Sequence, residues 1–216
     1  MRRPRPRRAR PLTGVDLESA ARVLGDGFAE MPVYRYLLGD HVDRVTVRIG
    51  LARVLLRRLL DGGYVAGVHD DARLIGLVAW FRDGDEQLLP SAAVDPADVE
   101  FLLAYPDVAR RLLELAQAPL PVPEPRAVTL SHIVVVPDRR HAGIVPVLAD
   151  VVIEVAVAAE TFFYAWTGSV ELRERFCRGW NLTPFAEHRL PDGTVLYGIR
   201  SERLPAAVHS TARPIR

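Results

Sequence analysis

This 216-residue chain has one cysteine, Cys177, and no lysine at all. A lone cysteine excludes an intrachain disulfide and a cysteine-rich metal centre. It makes a reducing, cytoplasmic setting the expectation, with no metal called for. No apolar run reaches the ~18–20 residues of a membrane span, so no membrane association is expected. The charged N-terminus has no apolar segment behind it, which argues against a secretory signal. With lysine missing, all 28 cations are arginine, a bias read as GC-rich coding rather than chemistry. What is present is apolar mass: 49% of the residues are hydrophobic. That excludes wholesale disorder and, at this length, supports one domain with a substantial core.

The +1 net charge hides an asymmetry. Residues 1–10 carry six arginines and no acid, which leaves −5 on the rest. Residues 1–11, with three prolines and no periodicity, are expected to form a disordered arm. A solvated tail is preferred for it over a nucleic-acid contact. Residues 12–204 are expected to form the domain, and residues 205–216 a loose tail.

The chain is organised around residues 128–159. Ile133 to Val136 reads as a central strand because β-branched residues dominate it, and Pro137-Asp138 ends it. Arg139, Arg140, His141, Ala142 and Gly143 make a short basic loop. Ile144 to Ala159 then reads as a helix, apolar on nearly every face, with Pro146 tolerated in its first turn. A strand feeding such a loop and a helix N-terminus presents backbone N–H groups and a dipole end to phosphate oxygens.

The run Val136-Pro137-x-x-Arg140-x-x-Gly143-Ile144 resembles the acyl-CoA loop of the GNAT superfamily of N-acetyltransferases, Val-x-Pro-x-x-(Gln/Arg)-x-x-Gly-x-(Gly/Ala). The dinucleotide-binding fingerprint fits poorly, with a single glycine and no acidic residue ending a later strand. Element order extends the resemblance over about residues 12–201.

Thr13 to Glu30 reads as a first helix with Asp16 as N-cap. An aromatic-rich break follows, from Gly27 to Tyr36. Asp40 to Asp61 reads as a second helix with an arginine-rich solvated face, stopped by Gly62-Gly63. Tyr64–His69 and Arg73–Phe81 read as a hairpin. Residues 84–126 read as an insertion, with helices starting at Asp95-Pro96 and Pro106-Asp107 and a stiff proline linker after them. Beside the acceptor cleft, this insertion would shape acceptor choice. Thr161–Thr167 reads as a buried strand and Ser169–Trp180 as a helix. Pro184–Leu190 and Thr194–Arg200 read as a last hairpin around Asp192-Gly193.

The resemblance implies an α/β (α+β) fold, a mixed, mostly antiparallel central sheet flanked by helices. It implies an N-acyltransferase moving an acyl group from acetyl-CoA or another acyl-CoA to a small-molecule amine within a ternary complex. The donor would be held by Val134, Val135, Val136, Arg140, His141, Ala142, Gly143, Ile144 and Val145. An amide near Val134 or Val136 would polarise the thioester carbonyl. Phe28, Tyr34 and Tyr36 would line the acceptor pocket. His132 is the first candidate for the base that takes the amine's proton, Glu30 the second, and a water relay would serve equally.

Arg175 to Leu182 lines up with the family's Phe-Tyr-x-x-x-Gly-Phe, placing Cys177 where a tyrosine protonates the departing thiolate and Asn181 at the glycine. Val145 stands where a second small residue is usual, and Pro146 removes one N–H. These departures favour two alternatives: the same fold taking acyl from a carrier protein or running another reaction, and a non-catalytic binding module. A homodimer is left open.

Overall fold

The computed structural model describes residues 8–82 and 95–202. The arm's first seven residues, residues 83–94 and the tail from 203 lie outside the described residues. Seven strands form one sheet, β1 (Ala9–Pro11), β2 (Val65–Asp70), β3 (Arg73–Arg82), β4 (Val128–Val135), β5 (Phe163–Thr167), β6 (Thr183–Arg189) and β7 (Val195–Arg200), in the order β1-β2-β3-β4-β5-β7-β6. Among the described residues, only β4 and β5 pair in parallel; the other pairings are antiparallel. This is the mixed, mostly antiparallel sheet that the sequence predicts.

Among the described residues, seven α-helices accompany it: α1 (Leu17–Phe28), α2 (Pro32–Leu38), α3 (Val45–Asp61), α4 (Pro96–Ala104), α5 (Pro106–Ala116), α6 (Ile144–Ala158) and α7 (Val170–Trp180). Adjacent residues of β4 show how two of them sit. A Cβ on Gly27 of α1 would meet Val134 Cγ2 at 2.8 Å, whereas a Cβ on Gly76, which pairs with Val135, would meet Ile144 and Leu148 of α6 at 3.2 Å. Successive strand residues point to opposite faces, so α1 and α6 cover opposite sides of the sheet. The core between these layers buries Phe28, Leu51, Leu56, Ile75, Leu77, Leu148 and Ile199 almost completely. No helix among the described residues is long and apolar enough to cross a membrane.

Three expectations are corrected. The arm does not run to residue 11: Ala9–Pro11 pairs with Val68, Gly67 and Ala66 as an edge strand. The β2 edge would otherwise leave its N–H and C=O groups unpaired; Pro11 is tolerated because an edge strand does not need its N–H, and the contact runs on to Leu12, whose N–H donates to Val65 O at 2.9 Å. The aromatic break contains α2, since Pro32 sits in a first turn, where its missing N–H costs nothing, and Leu37 and Leu38 bury. The arginine face of α3 is not simply solvated. Arg48 donates to the Gly25 and Val42 carbonyls, Arg53 forks onto Glu18, and Arg57 forks onto buried Asp98.

Arg57 thereby helps seat the insertion. Asp95 caps α4 by accepting from Ala97 N–H at 2.8 Å and also meets Arg57 at 2.9 Å. Phe101 lies against Gly50 of α3. Helix α5 docks on α2 through the Tyr36 hydroxyl, which donates to Glu114 at 2.6 Å. The insertion therefore packs on the α2–α3 side of the molecule.

Candidate active site

Strand β4 belongs to β5 for only half its length. Val128, Thr129 and Leu130 pair with Phe163, Tyr164 and Ala165, and pairing stops there. β4 continues to Val135 against β3 alone, while Trp166 and Thr167 pair only with β7. Burial follows the split, with residues 128–130 buried and residues 131–134 half-buried. A bulge at Ser131, where the β3 register slips between Ala79 and Trp80, bends β4 at this point.

The phase of the backbone decides which groups face the gap. Val136 N–H donates to Ile75 O at 3.0 Å. Residues of an antiparallel ladder alternate in the side they bond, so Val134 shares the β3-facing phase, and Ile133 and Val135 turn their N–H and C=O groups to the gap. The amides of Val134 and Val136, predicted to reach a thioester, are thus committed within the sheet. Val135, one of the predicted donor-binding residues, has its backbone groups on the gap side, as does Ile133.

The loop after β4 is similarly divided. Arg139 N–H donates to Val136 O, Arg140 N–H to Pro137 O and Ala142 N–H to Arg139 O. The amides of His141, Gly143, Ile144 and Val145 have no backbone acceptor among the described residues. His141 and Gly143 both take φ +70°. Glycine does so freely, but in histidine the conformation stores strain of about 1 kcal/mol or more. Val145 turns its side chain onto the core, so its bulk does not occlude these amides from that direction. The predicted N–H groups of Arg140 and Ala142 are withdrawn from the set.

Ion pairs hold the loop from two sides. Arg73 at the β2–β3 turn forks onto Asp138 at 2.9 and 3.0 Å, and Asp70 across that turn takes Arg139 at 2.9 Å. Arg140 reaches the other way, to Glu30 just past α1, with Nη1–Oε2 2.7 Å and Nη2–Oε1 2.9 Å. Glu30, proposed from sequence as a base, is therefore a partner of the loop.

On the α1–α2 face of β4, Tyr34 Oη and His132 Nδ1 lie 2.6 Å apart. Protein packed around His132 pushes its imidazole down to about 4, with a backbone hydrogen bond at Ser131 opposing weakly. Burial holds the Tyr34 hydroxyl well above its ordinary range. Both groups are neutral near pH 7, and His132 has a lower proton affinity than a base near pKa 7 would have. Phe28 stacks behind Tyr34 at 3.9 Å between centroids and is wholly buried, so it backs the site without lining it. Tyr36 points to Glu114 instead; burial first, then that carboxylate, push its hydroxyl up to about 12. Of the three predicted wall residues, only Tyr34 reaches His132.

Cys177 is half-buried on α7 and packs against the core. Asn181 ends that helix at φ +54°, a left-handed position that asparagine tolerates.

No family model matches this sequence, and no curated protein matches it. Solved structures do. An acetyltransferase from Corynebacterium glutamicum, described as a histone acetyltransferase and related acetyltransferase, superposes with a TM-score of 0.62 at 16% identity, covering 94% of this chain and 99% of that one. A polyamine N-acetyltransferase from Drosophila melanogaster, which forms N-acetylagmatine, gives 0.58 at 13% identity, covering 91% and 99%. A mosquito arylalkylamine N-acetyltransferase-like protein gives 0.53 at 13% identity, covering 91% and 99%. The splayed β4, the loop and the helix α6 sit within the fold of the GNAT acetyltransferases, and that fold is the one this chain adopts.

Proposed function

We propose that this chain is an N-acyltransferase that uses acyl-CoA and a small amine. The observation that carries the proposal is the split of β4 from β5 beside four uncommitted loop amides. Ile133 and Val135 offer backbone donors and acceptors to an extended amide-bearing arm. His141, Gly143, Ile144 and Val145 offer N–H groups to phosphate oxygens at the α6 N-terminus, and Arg140 offers a charge. The residues present fit a donor of this kind. Bound there, acyl-CoA supplies an already activated thioester, and much of the rate then comes from positioning. A gap-facing N–H of Ile133 or Val135 is the one donor suited to a developing oxyanion.

The acceptor end is the Tyr34–His132 pair. A neutral imidazole on β4 accepts a hydrogen bond from the incoming amine, oriented by the tyrosine hydroxyl. With a pKa near 4 it holds a proton poorly, so the ammonium proton passes to water and His132 positions the amine. Cys177 takes a packing role here and no step passes through it.

The test is a single-turnover assay with acetyl-CoA and a panel of amines, read by mass. Acetylation of an amine, lost in His132→Ala, supports the proposal. No transfer to any amine, with CoA bound, leaves a non-catalytic module of the same fold.

A further inference from the structure

The Arg140–Glu30 pair joins two sides of the candidate site. Arg140 lies in the donor loop, and Glu30 lies in the segment leading to Tyr34, whose N–H donates to Met31 O. The contact is two-pronged, 2.7 and 2.9 Å, the planar fork by which a guanidinium also takes two phosphate oxygens. Glu30 thus occupies the N–H groups a donor phosphate needs. Both side chains keep surface, 38% for Arg140 and 54% for Glu30, so the pair opens without exposing core. Arg139 keeps similar surface, 40%, but its partner is Asp70 at the β2–β3 turn, and its Nε is buried. Of the two loop arginines, Arg140 is the one paired to the segment leading to Tyr34.

We propose that Glu30 is an internal stand-in for the donor's phosphate on Arg140, and that donor binding releases this carboxylate to attract a cationic acceptor. The proposal rests on the acyl-CoA reading above. Exchange makes the carboxylate a competitor of the donor when the acceptor is absent, and a free negative charge beside Tyr34 once the donor is in place. Binding is thereby ordered, donor before acceptor.

Calorimetric titration of CoA into wild type, Glu30→Gln, Arg140→Ala and the double variant tests the exchange. Glu30→Gln is expected to bind CoA about two- to five-fold more tightly than wild type, the equivalent of the ~0.4–1 kcal/mol of an exposed ion pair. In the Arg140→Ala background the same substitution is expected to change nothing. Equal tightening in both backgrounds overturns the exchange, because removal of a nearby negative charge then acts without Arg140. No tightening in either overturns it as well. Absence of CoA binding by wild type overturns the donor reading itself, which separates the two failures. Agmatine, a guanidinium-bearing amine, is then titrated into the CoA-saturated proteins. Binding weakened about five-fold or more in Glu30→Gln supports the acceptor half; equal binding, or none to wild type, overturns it.

Discussion

Tyr34 Oη and His132 Nδ1 stand 2.6 Å apart, so a hydroxyl from α2 fixes the orientation of an imidazole on the half of β4 that has parted from β5. The contact spans 98 residues of sequence and joins the segment after α1 to the strand that feeds the loop before α6. Removing the hydroxyl leaves the ring position to be held by packing and the backbone hydrogen bond at Ser131. Tyr34→Phe preserves the stack on Phe28 and strips His132 of its partner. An unpaired, packed ring nitrogen costs about 1–3 kcal/mol, and chemical denaturation should report a loss in that range. Acyl transfer should fall about ten-fold or more while CoA affinity holds, since no donor contact is touched.

His132 also sets a pH dependence. Its folded-state value of about 4 lies below the unfolded 6.5, so the unfolded chain binds the extra proton between those values. Stability is complete above about pH 6.5 and falls as pH drops toward 4, by an amount of order 2–3 kcal/mol. His69, lowered chiefly by burial and next by Arg10, contributes in the same direction. His132→Gln should flatten most of this slope in urea titrations run from pH 7 to 4.5. An unchanged slope would show that the ring is solvated.

The seat of α1 on β4 is a glycine. Gly27→Ala should gain up to about 1 kcal/mol of helix propensity, yet its Cβ would meet Val134 Cγ2 at 2.8 Å. Crowding is expected to win, with a net loss of about 1–2 kcal/mol. Adding Val134→Ala should return part of that loss, which an effect local to the helix would not do.

The insertion is clasped to α2 by Tyr36 and Glu114. Tyr36→Phe should raise amide hydrogen exchange across Pro106–Ala116 several-fold while β3 and β4 stay protected. Faster exchange in the sheet would mean that Tyr36 supports the core instead.

Much of this architecture is written locally. Gly62-Gly63, Asp95-Pro96, Pro106-Asp107 and Asp192-Gly193 mark element ends by cap and turn chemistry that needs no tertiary partner. The helix α2 escaped because Met31-Pro32 reads as a break, although a proline is also a good first-turn residue. β1 was hidden by the charge of the arm around it; its pairing depends on the bare edge of β2. The loop was legible as a strand-to-helix turn at the α6 N-terminus, but not which of its amides are free. The loop amides are committed by short-range bonds to Val136, Pro137 and Arg139, and those of β4 by the β3 register and the bulge at Ser131, none of which leaves a mark in a run of valines. Nor was the fate of Glu30 and Tyr36 readable, since their partners lie 110 and 78 residues away.

The central claim is that the half of β4 that has parted from β5 and the loop before α6 hold an acyl-CoA. Amide NMR of the labelled protein during a CoA titration tests it most directly. The account predicts saturable, micromolar shifts concentrated at Ile133, Val135, His141, Gly143, Ile144 and Val145, with Val134 and Val136 moving least in β4. No saturable shift up to millimolar CoA, or shifts centred away from β4 and this loop, would contradict it.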